Sequence, residues 1–461
     1  MSAKTRFHFT GICGTAMGAV AAAMKQRGFT VTGSDANVYP PMSDFLRGQG
    51  ITLTEGYRAE NIPADTDVVI IGNAISRGNP EAEAALDRKL LYHSLPEVMK
   101  EFFLRGKRNF VVSGTHGKTT TSSMLAWIFS KAGLDPGYMI GGLPKNLGQG
   151  AHFTDSEFNV LEGDEYDTAF FDKRSKFLHY LPECVVVNNV EFDHADIYNS
   201  LDEIKLTFRR LLNIVPRGGI AFVNGDEQNC LDVADKAPCQ VTTVGFGENC
   251  KLRIVDLKYE TDRSSFTLAG ERYSIRMTGE FNVRNAAMSV AAASFAGLTA
   301  DEIRVGLESF EGVARRQELK GEVNGIKIID DFAHHPTAIR LAVQSLRQRH
   351  PDSRLWILFE PRSNTTRRAV FQTELAESLA AADFAVVAGI TDLAKIPEND
   401  RLDPDKLSAD IQRFGGQGWY LPDNEAIIAK VKSLAKPGDI VAVLSNGGFG
   451  GIHSKLLAAL G

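Results

Sequence analysis

Twice along this chain an apolar run leads through closely spaced glycines straight into a helical pattern: "RFHFTGICGTAMG" from Arg6, and "FVVSGTHGKTT" from Phe110. No other feature constrains the fold as much. Glycine lets the backbone turn sharply between a strand and a helix. Strand–turn–helix units recur where helices cross over between parallel strands. The rest of the chain alternates in the same way, which predicts an α/β protein with parallel sheets. Strands are expected at "FTVTGSD", "DTDVVIIGNA", "EFNVLEGDEYD", "ECVVVNNVEFDH", "IKIIDDF", "RLWILFE", "FAVVAGI" and "DIVAVLS". The exception is "KLRIVDLKYE", "SSFTLAG" and "RYSIRM", which reads as antiparallel strands. With 461 residues and roughly 100–200 residues per domain, about three domains are expected. The boundaries fall at 1–106, 107–313 and 314–461. The first block includes a helix opened by Asn79 and Pro80, and the basic "RGKRN" reads as a linker. The second closes on the Ala-rich helix "FNVRNAAMSVAAASFAG".

The second glycine turn has the parts a phosphate requires. Backbone N–H groups must point inward with no side chain in the way, and the following helix N-terminus adds positive potential. Gly114, Thr115, His116, Gly117, Lys118, Thr119 and Thr120 lie between strand and helix. Lys118 is expected to reach the outer phosphates and the Thr119 hydroxyl to meet Mg²⁺. The loop is shorter than the common GxxxxGK[ST] form, because only Thr115 and His116 separate its two glycines. Two strand ends downstream carry candidate metal ligands, Glu162 in "VLEGDEYD" and His194 in "NNVEFDH", where residues of open α/β sheets act. Read alone, Glu162, Asp164, Glu165 and Asp167 fit a solvated acidic turn equally well.

The first glycine turn places Gly11, Gly14 and Gly18 after a strand, with Ser34 and Asp35 ending the next one. This is close to a dinucleotide-binding layout, but the pattern is GxxGxxxG and Cys13 occupies a position usually held by a small residue. A diphosphate-bearing nucleotide other than NAD would use the same helix terminus. Two such loops suggest two nucleotides, one supplying energy and the other serving as a handle on the substrate.

Bulk properties exclude other classes. A net charge of −6 gives no reason to expect nucleic acid, and no apolar run approaches the ~20 residues of a membrane span. The start "MSAKTRFHFTGICG" has no signal-peptide core. The five cysteines are scattered without a CxxC pair. Reduced thiols and a cytoplasmic setting are therefore expected, with no obligate protein partner evident.

The motifs "GTHGKTT", "EGDEYD", "EFDH", "FNVRNAA", "ARRQE" and "DDFAHHPT", in that order across essentially the whole chain, resemble those of the Mur ligases. These are ATP-dependent amide-forming enzymes of bacterial cell-wall metabolism. The resemblance implies three domains: a Rossmann-like UDP-binding domain, a central ATP-binding domain, and a C-terminal Rossmann-like domain. It implies ATP and Mg²⁺ as cofactors. Lys118 and Thr119 would take the phosphates and Mg²⁺, Glu162 the Mg²⁺, and His194 a second ion. Asn282, Asn285, Arg316 and Asp331 would reach the nucleotide. Gly11, Gly14, Gly18, Ser34 and Asp35 would hold the UDP part. A carbamylated lysine used by some relatives is not carried over, because the corresponding stretch reads "LTFRRLL". His334 and His335 are expected near the nucleotide rather than on a metal.

Within the family, "DDFAHHPT" and "GSD" look like the branch acting on UDP-N-acetylmuramate. "GICGTAMG", "GSDANVYPPMS", "EGDEYDTAFFDKRSKFLHY", "EPRSNTTRR" and "SNGGFGGIH" resemble members that attach a salvaged tripeptide, L-alanyl-γ-D-glutamyl-meso-diaminopimelate, rather than L-alanine. The implied chemistry is attack of the lactyl carboxylate on the γ-phosphorus of ATP, then aminolysis of the acyl phosphate. In the last block, Arg362, Asn364, Arg367 and Arg368 follow a strand end and are expected to meet the peptide carboxylates. The rival readings are the alanine-adding ligase, the folate-type polyglutamate ligases, against which the N-terminal block argues, and a silent nucleotide sensor.

Overall fold

The computed structural model describes residues 5–391 and 393–461. The chain forms two compact units. The first runs through Glu191 and adds Leu201–Arg253 and Ala287–Leu307; the second comprises Phe192–Ser200, Ile254–Ala286 and Glu308–Gly461.

The first unit contains two layered parallel systems. The five-stranded sheet is ordered Thr52–Glu55, Thr30–Asp35, Arg6–Thr10, Val68–Ile71, Leu91–Ser94, with every pair parallel. In the second system Arg108–Ser113 lies between Pro182–Val187 and Phe158–Glu162, both parallel to it. Ile220–Asn224 and Gln240–Gly245 extend one side in parallel. Gly137–Met139 and the antiparallel Ala151–His152 extend the other. The order places the end of Arg108–Ser113 beside the ends of both neighbours, where a ligand crevice forms in open α/β sheets. A small hairpin, Asp167–Ala169 with Asp172–Ser175, carries Phe170 and Phe171 at its tip. Phe171 meets Tyr92 edge-on at 4.8 Å, so the hairpin joins the two sheet systems of this unit through apolar contact.

The second unit contains the expected antiparallel meander, in which Leu252–Tyr259 pairs with Ser264–Leu268 and that strand with Glu271–Ile275. It also holds a six-stranded sheet ordered Glu318–Val323, Ile326–Asp331, Ile440–Leu444, Leu355–Phe359, Phe384–Ala388, Gln417–Leu421. Only the first pair is antiparallel. Helices Pro336–Arg349, Gln372–Ala380 and Pro404–Arg413 cover one face and Asn424–Leu434 and Ile452–Leu460 the other. Period-two alternation explains why Leu355, Ile357 and Phe359 join the first core and Trp356 and Leu358 the second. With both faces covered, the strand reads as a continuous apolar run.

Asn79 caps the helix Pro80–Asp87 as expected, accepting from the N–H groups of Glu81 and Ala82. The "RGKRN" stretch is less of a linker than its composition suggests. Gly106 turns at φ +76°, but Arg108 already belongs to the strand. Asn109 is buried and donates to the carbonyls of Leu104 and Leu181 at 3.0 and 2.9 Å. Strands such as Leu91–Ser94 and Gln417–Leu421 were not read from the sequence, because edge positions need little apolar content. All five cysteines are unbridged. Among the described residues no helix is long and apolar enough to cross a membrane.

Candidate active site

The strand Arg108–Ser113 ends at Gly114, which has φ +128°, a conformation open to glycine alone. A Cβ there would also meet the backbone N of Asn189 at 3.0 Å. Gly117 follows at φ +78° and opens the helix Lys118–Lys131 with no side-chain cap. The first N–H groups of this helix are thus left for a ligand.

The loop is shaped by the strand beside it. Asn189 grips His116 at both ends of its peptide, accepting from its N–H at 2.6 Å and donating to its carbonyl at 3.3 Å. Thr115 donates its N–H to the Asn189 carbonyl at 3.1 Å, and its hydroxyl accepts from the Glu191 N–H at 2.9 Å. Asn188 donates to Thr121, while its Oδ1 is buried without a hydrogen-bond partner among the described residues. Thr115 and His116 were expected in the loop; Asn188, Asn189 and Glu191, which hold the loop and its helix, were not singled out from the sequence. The signal available was their position at the end of the neighbouring strand.

The acidic turn is not solvated. Thr119 donates its hydroxyl to Glu162 Oε1 at 2.9 Å, and Glu162 Oε2 accepts from the Gly141 N–H at 2.7 Å. Hydroxyl and carboxylate thus lie side by side at the mouth of the loop, a hard oxygen pair suited to Mg²⁺. Lys118 lies against Glu165 at 2.8 Å, with 13% and 2% of the two side chains exposed. Asp164 pairs with Lys176 at 2.6 Å. Burial would raise the Asp164 carboxyl, but Lys176 and Lys118 hold it down to about 2. Burial likewise opposes the charge on Lys118, yet Glu165, Asp164 and Glu162 push its ammonium upward.

The N-terminal loop is built differently. Gly11 turns at φ +85°, and the N–H groups of Gly11 and Ile12 both donate to the Ser34 carbonyl. Asp35 accepts from Cys13 N–H at 2.9 Å and from Asn37 N–H at 3.1 Å, so it braces the loop. Ser34 and Gly18, expected at the substrate, also pack within the unit. The Ser34 side chain is fully buried and donates to Glu81. A Cβ on Gly18 would lie 2.5 Å from Met42 Sδ, so this glycine permits close packing. Glu81 itself went unread. It is fully buried and accepts from Thr10, Ser34 and Asn61. Burial raises its carboxyl, but hydrogen bonds from His8, Ser34, Asn61 and Thr10 bring it below its ordinary value.

His194 belongs to the second unit. It sits at φ +54°, and its carbonyl accepts from the N–H groups of Ile197 and Tyr198. Its segment is held from within that unit. Thr365 donates to Asp193 at 2.8 Å and accepts from Ala195 N–H at 3.2 Å. His335 accepts from Thr337 N–H through Nδ1, which makes Nε2 the donor to the Phe192 carbonyl at 3.1 Å. It is thus a helix cap and a strut for the histidine segment.

Asn282 donates to the Thr278 carbonyl at 2.7 Å, and its Oδ1 is buried without a hydrogen-bond partner among the described residues. Asn285, one helical turn on, is also buried. Arg316 lies over the Phe332 ring at 4.9 Å. Asp331 is buried and accepts from the N–H groups of Gln317 and Ala333. Burial pushes its carboxyl upward, against Arg316 and those hydrogen bonds.

Of the expected peptide-binding group, Arg362 is exposed beside Gly447. Asn364 is exposed and donates to Asp196 at 2.8 Å. Arg367 bonds to Asn364 and the Thr391 carbonyl, and Arg368 to Asp400. These last two arginines are internal ties of the loop.

Residues 6–107 match the Mur ligase family catalytic domain, 112–293 the Mur ligase middle domain, and 315–447 the Mur ligase glutamate ligase domain. The UDP-N-acetylmuramate–L-alanyl-γ-D-glutamyl-meso-2,6-diaminoheptandioate ligase of Escherichia coli is 42% identical over 99% of this chain and 98% of its own. The UDP-N-acetylmuramate–L-alanine ligase of Geotalea uraniireducens is 33% identical over 99% and 98%. The crystal structure of a murein peptide ligase from Psychrobacter arcticus superposes with a TM-score of 0.72, at 35% identity, over 99% of both chains.

Proposed function

The chain belongs to the Mur ligase family, and we propose that it joins L-alanyl-γ-D-glutamyl-meso-diaminopimelate to the lactyl carboxylate of UDP-N-acetylmuramate at the expense of ATP, in the recycling of peptidoglycan. The observation that carries the chemistry is the phosphate loop, with Lys118 above it and Thr119 and Glu162 paired at its mouth. Full-length identity of 42% to a tripeptide-adding relative, against 33% to an alanine-adding one, supports the choice of amine.

A carboxylate acylates poorly because its leaving group would be oxide. Transfer of the γ-phosphoryl group turns that oxygen into phosphate, and the amine of the peptide's alanine then displaces it. The loop's N–H groups and Lys118 would stabilise the transferring phosphoryl charge. Thr119 and Glu162 would hold Mg²⁺, which offsets charge as the anions are brought together. For His194 we keep the family role of ligand to a second ion, and for Asn282, Asn285, Arg316 and Asp331 that of nucleotide contacts. Gly11 and Gly14, braced by Asp35, would face the UDP diphosphate. Arg362 and Asn364 would take peptide carboxylates.

The test is product mass. Purified protein with ATP, Mg²⁺ and UDP-N-acetylmuramate receives L-alanine in one reaction and the tripeptide in another. UDP-muramoyl-tripeptide formed only in the second supports the proposal; UDP-muramoyl-alanine in the first moves the chain to the alanine-adding branch.

A further inference from the structure

We propose that Glu81 is a positioning residue for the UDP substrate, acting through Ser34 on the turn that begins at Gly11. The inference rests on the reading of that turn, given above, as the holder of the UDP diphosphate.

Glu81 stands in the first turn of the helix Pro80–Asp87, where its N–H donates to the Asn79 cap at 3.0 Å. A helix N-terminus favours negative charge at this place. The side chain is fully buried and reaches the ends of two strands. Its Oε2 accepts from Thr10 Oγ1 at 2.8 Å and from the Ser34 hydroxyl, and His8 Nε2 lies 3.4 Å from it. Thr10 is the last residue before Gly11. Ser34 carries the carbonyl to which Gly11 and Ile12 donate at 2.8 and 3.0 Å. One carboxylate oxygen thus holds both the residue that enters the turn and the residue that anchors it. Oε1 faces a third segment, accepting from Asn61 Nδ2 at 2.7 Å and from Arg58 N–H at 3.4 Å. Asn61 also donates to the Gly56 carbonyl at 2.8 Å, and Gly56 N–H donates to the Asp35 carbonyl at 2.8 Å. Segments 10–12, 34–35 and 56–61 are all tied to this one side chain.

The tie bears on what the turn offers a ligand. Ser34 and Asp35 use the N–H groups of Gly11, Ile12 and Cys13. The helix Thr15–Gln26 opens at Gly14 without a side-chain cap, so its N-terminus is what the turn presents to an anion. The Ser34 carbonyl sets where that N-terminus points, and Glu81 sets Ser34. A carboxylate suits the task because both of its oxygens accept. A glutamine of the same shape must turn its NH₂ toward one set of donors. Either the turn or the segment 56–61 then loses its hold.

The experiment is calorimetric binding of UDP-N-acetylmuramate, and separately of MgADP, to the full chain. Wild type is compared with Glu81→Gln, Ser34→Ala, the combination of the two, and Thr10→Val, together with kcat and KM for each nucleotide. Glu81→Gln should raise Kd and KM for UDP-N-acetylmuramate about tenfold, with MgADP affinity and kcat at saturating substrates near wild type. Ser34→Ala should give a similar loss. The combination should lose no more than either change alone, because both break one link. Thr10→Val keeps the shape of its site and the Glu81 carboxylate, and should raise Kd a few-fold, so the test survives if Glu81→Gln does not fold. Unchanged affinity for UDP-N-acetylmuramate in the single variants overturns the inference. So do additive losses in the combination, which would place the action of Glu81 elsewhere than on Ser34. An equal loss of MgADP binding overturns it too, by marking a merely structural residue. A wild type that binds MgADP but not UDP-N-acetylmuramate overturns the reading of the turn itself, and the inference with it.

Discussion

At Gly11 the backbone leaves a parallel strand at φ +85°, and at Gly114 at φ +128°. Each turn feeds a helix whose first N–H groups lack a side-chain cap. What surrounds the two turns differs. The N-terminal loop is drawn to the Ser34 carbonyl and braced by the Asp35 carboxylate, and beneath it lies the buried Glu81 with its neutral donors. The phosphate loop is ringed by charges in close pairs, Lys118 with Glu165 and Lys176 with Asp164. The same strand–glycine–helix device can therefore serve two tasks. Fixed hydrogen bonds around the first turn suit the proposed holding of a diphosphate. Close ammonium–carboxylate pairs around the second suit the proposed stabilisation of charge as it moves from one oxygen to another.

The largest effect that sharpens this contrast is on Lys118. Lys118→Ala should lower ATP-dependent product formation by about 10³-fold, measured as kcat with saturating substrates, while binding of UDP-N-acetylmuramate stays near wild type. A comparable loss of UDP-substrate binding would break the division of labour.

The acid limb of stability comes next, and in the first unit it draws on carboxyls that the fold lowers. The carboxyl of Glu81 is lowered in the fold, so its stabilisation is present above the ordinary carboxylate pKa and lost as pH falls through the lowered value. Asp172 behaves alike. Its burial is outweighed by Arg174 and His179, which bring it to about 2, so its share disappears between about pH 4 and pH 2. Glu81→Gln should cost about 3 kcal/mol at pH 7 by leaving buried donors poorly matched, and should flatten the decline on acidification. Urea unfolding at pH 7 and pH 3 measures both.

The glycines give a smaller, graded comparison. Gly114→Ala forces a side chain into φ +128° against Asn189 backbone. It should cost about 2 kcal/mol and raise KM for ATP. In Gly18→Ala the new methyl meets the movable Met42 Sδ at 2.5 Å, so about 1 kcal/mol is expected, with ATP kinetics intact. Thermal unfolding and KM distinguish the two. Smallest is Arg362→Ala, exposed at the end of its strand. It should raise KM for the tripeptide a few-fold and leave ADP binding unchanged. Unaltered tripeptide kinetics would remove Arg362 from the peptide site.

Much of this was readable because it is local. Positive φ at Gly11, Gly114 and Gly117, the Asn79 cap, the covered strands of the last sheet and the antiparallel meander all follow from residues within a few positions of one another. Lys118 and Glu162 were legible for the same reason, since strand ends and loop chemistry carry their own spacing. The packing of Ser34 and Gly18 was not legible. A serine or glycine beside a nucleotide loop reads the same whether or not it also packs inward, and the contacts that show it come from Glu81 and Met42, 47 and 24 positions away. Arg367 and Arg368 looked like free cations until Asn364 and Asp400 were found to hold them.

By itself the sequence determined the class of fold, the two turns and the chemical inventory, because hydrophobic period and glycine freedom act over short distances. Tertiary structure alone decided which of the acidic residues is buried against Lys118, which backbone Asn189 grips, and which unit carries His194. Those outcomes depend on strands and turns brought together from 47 to 73 residues apart. A carboxylate's role is set by what it meets and how little water reaches it, and neither is written in its neighbours along the chain.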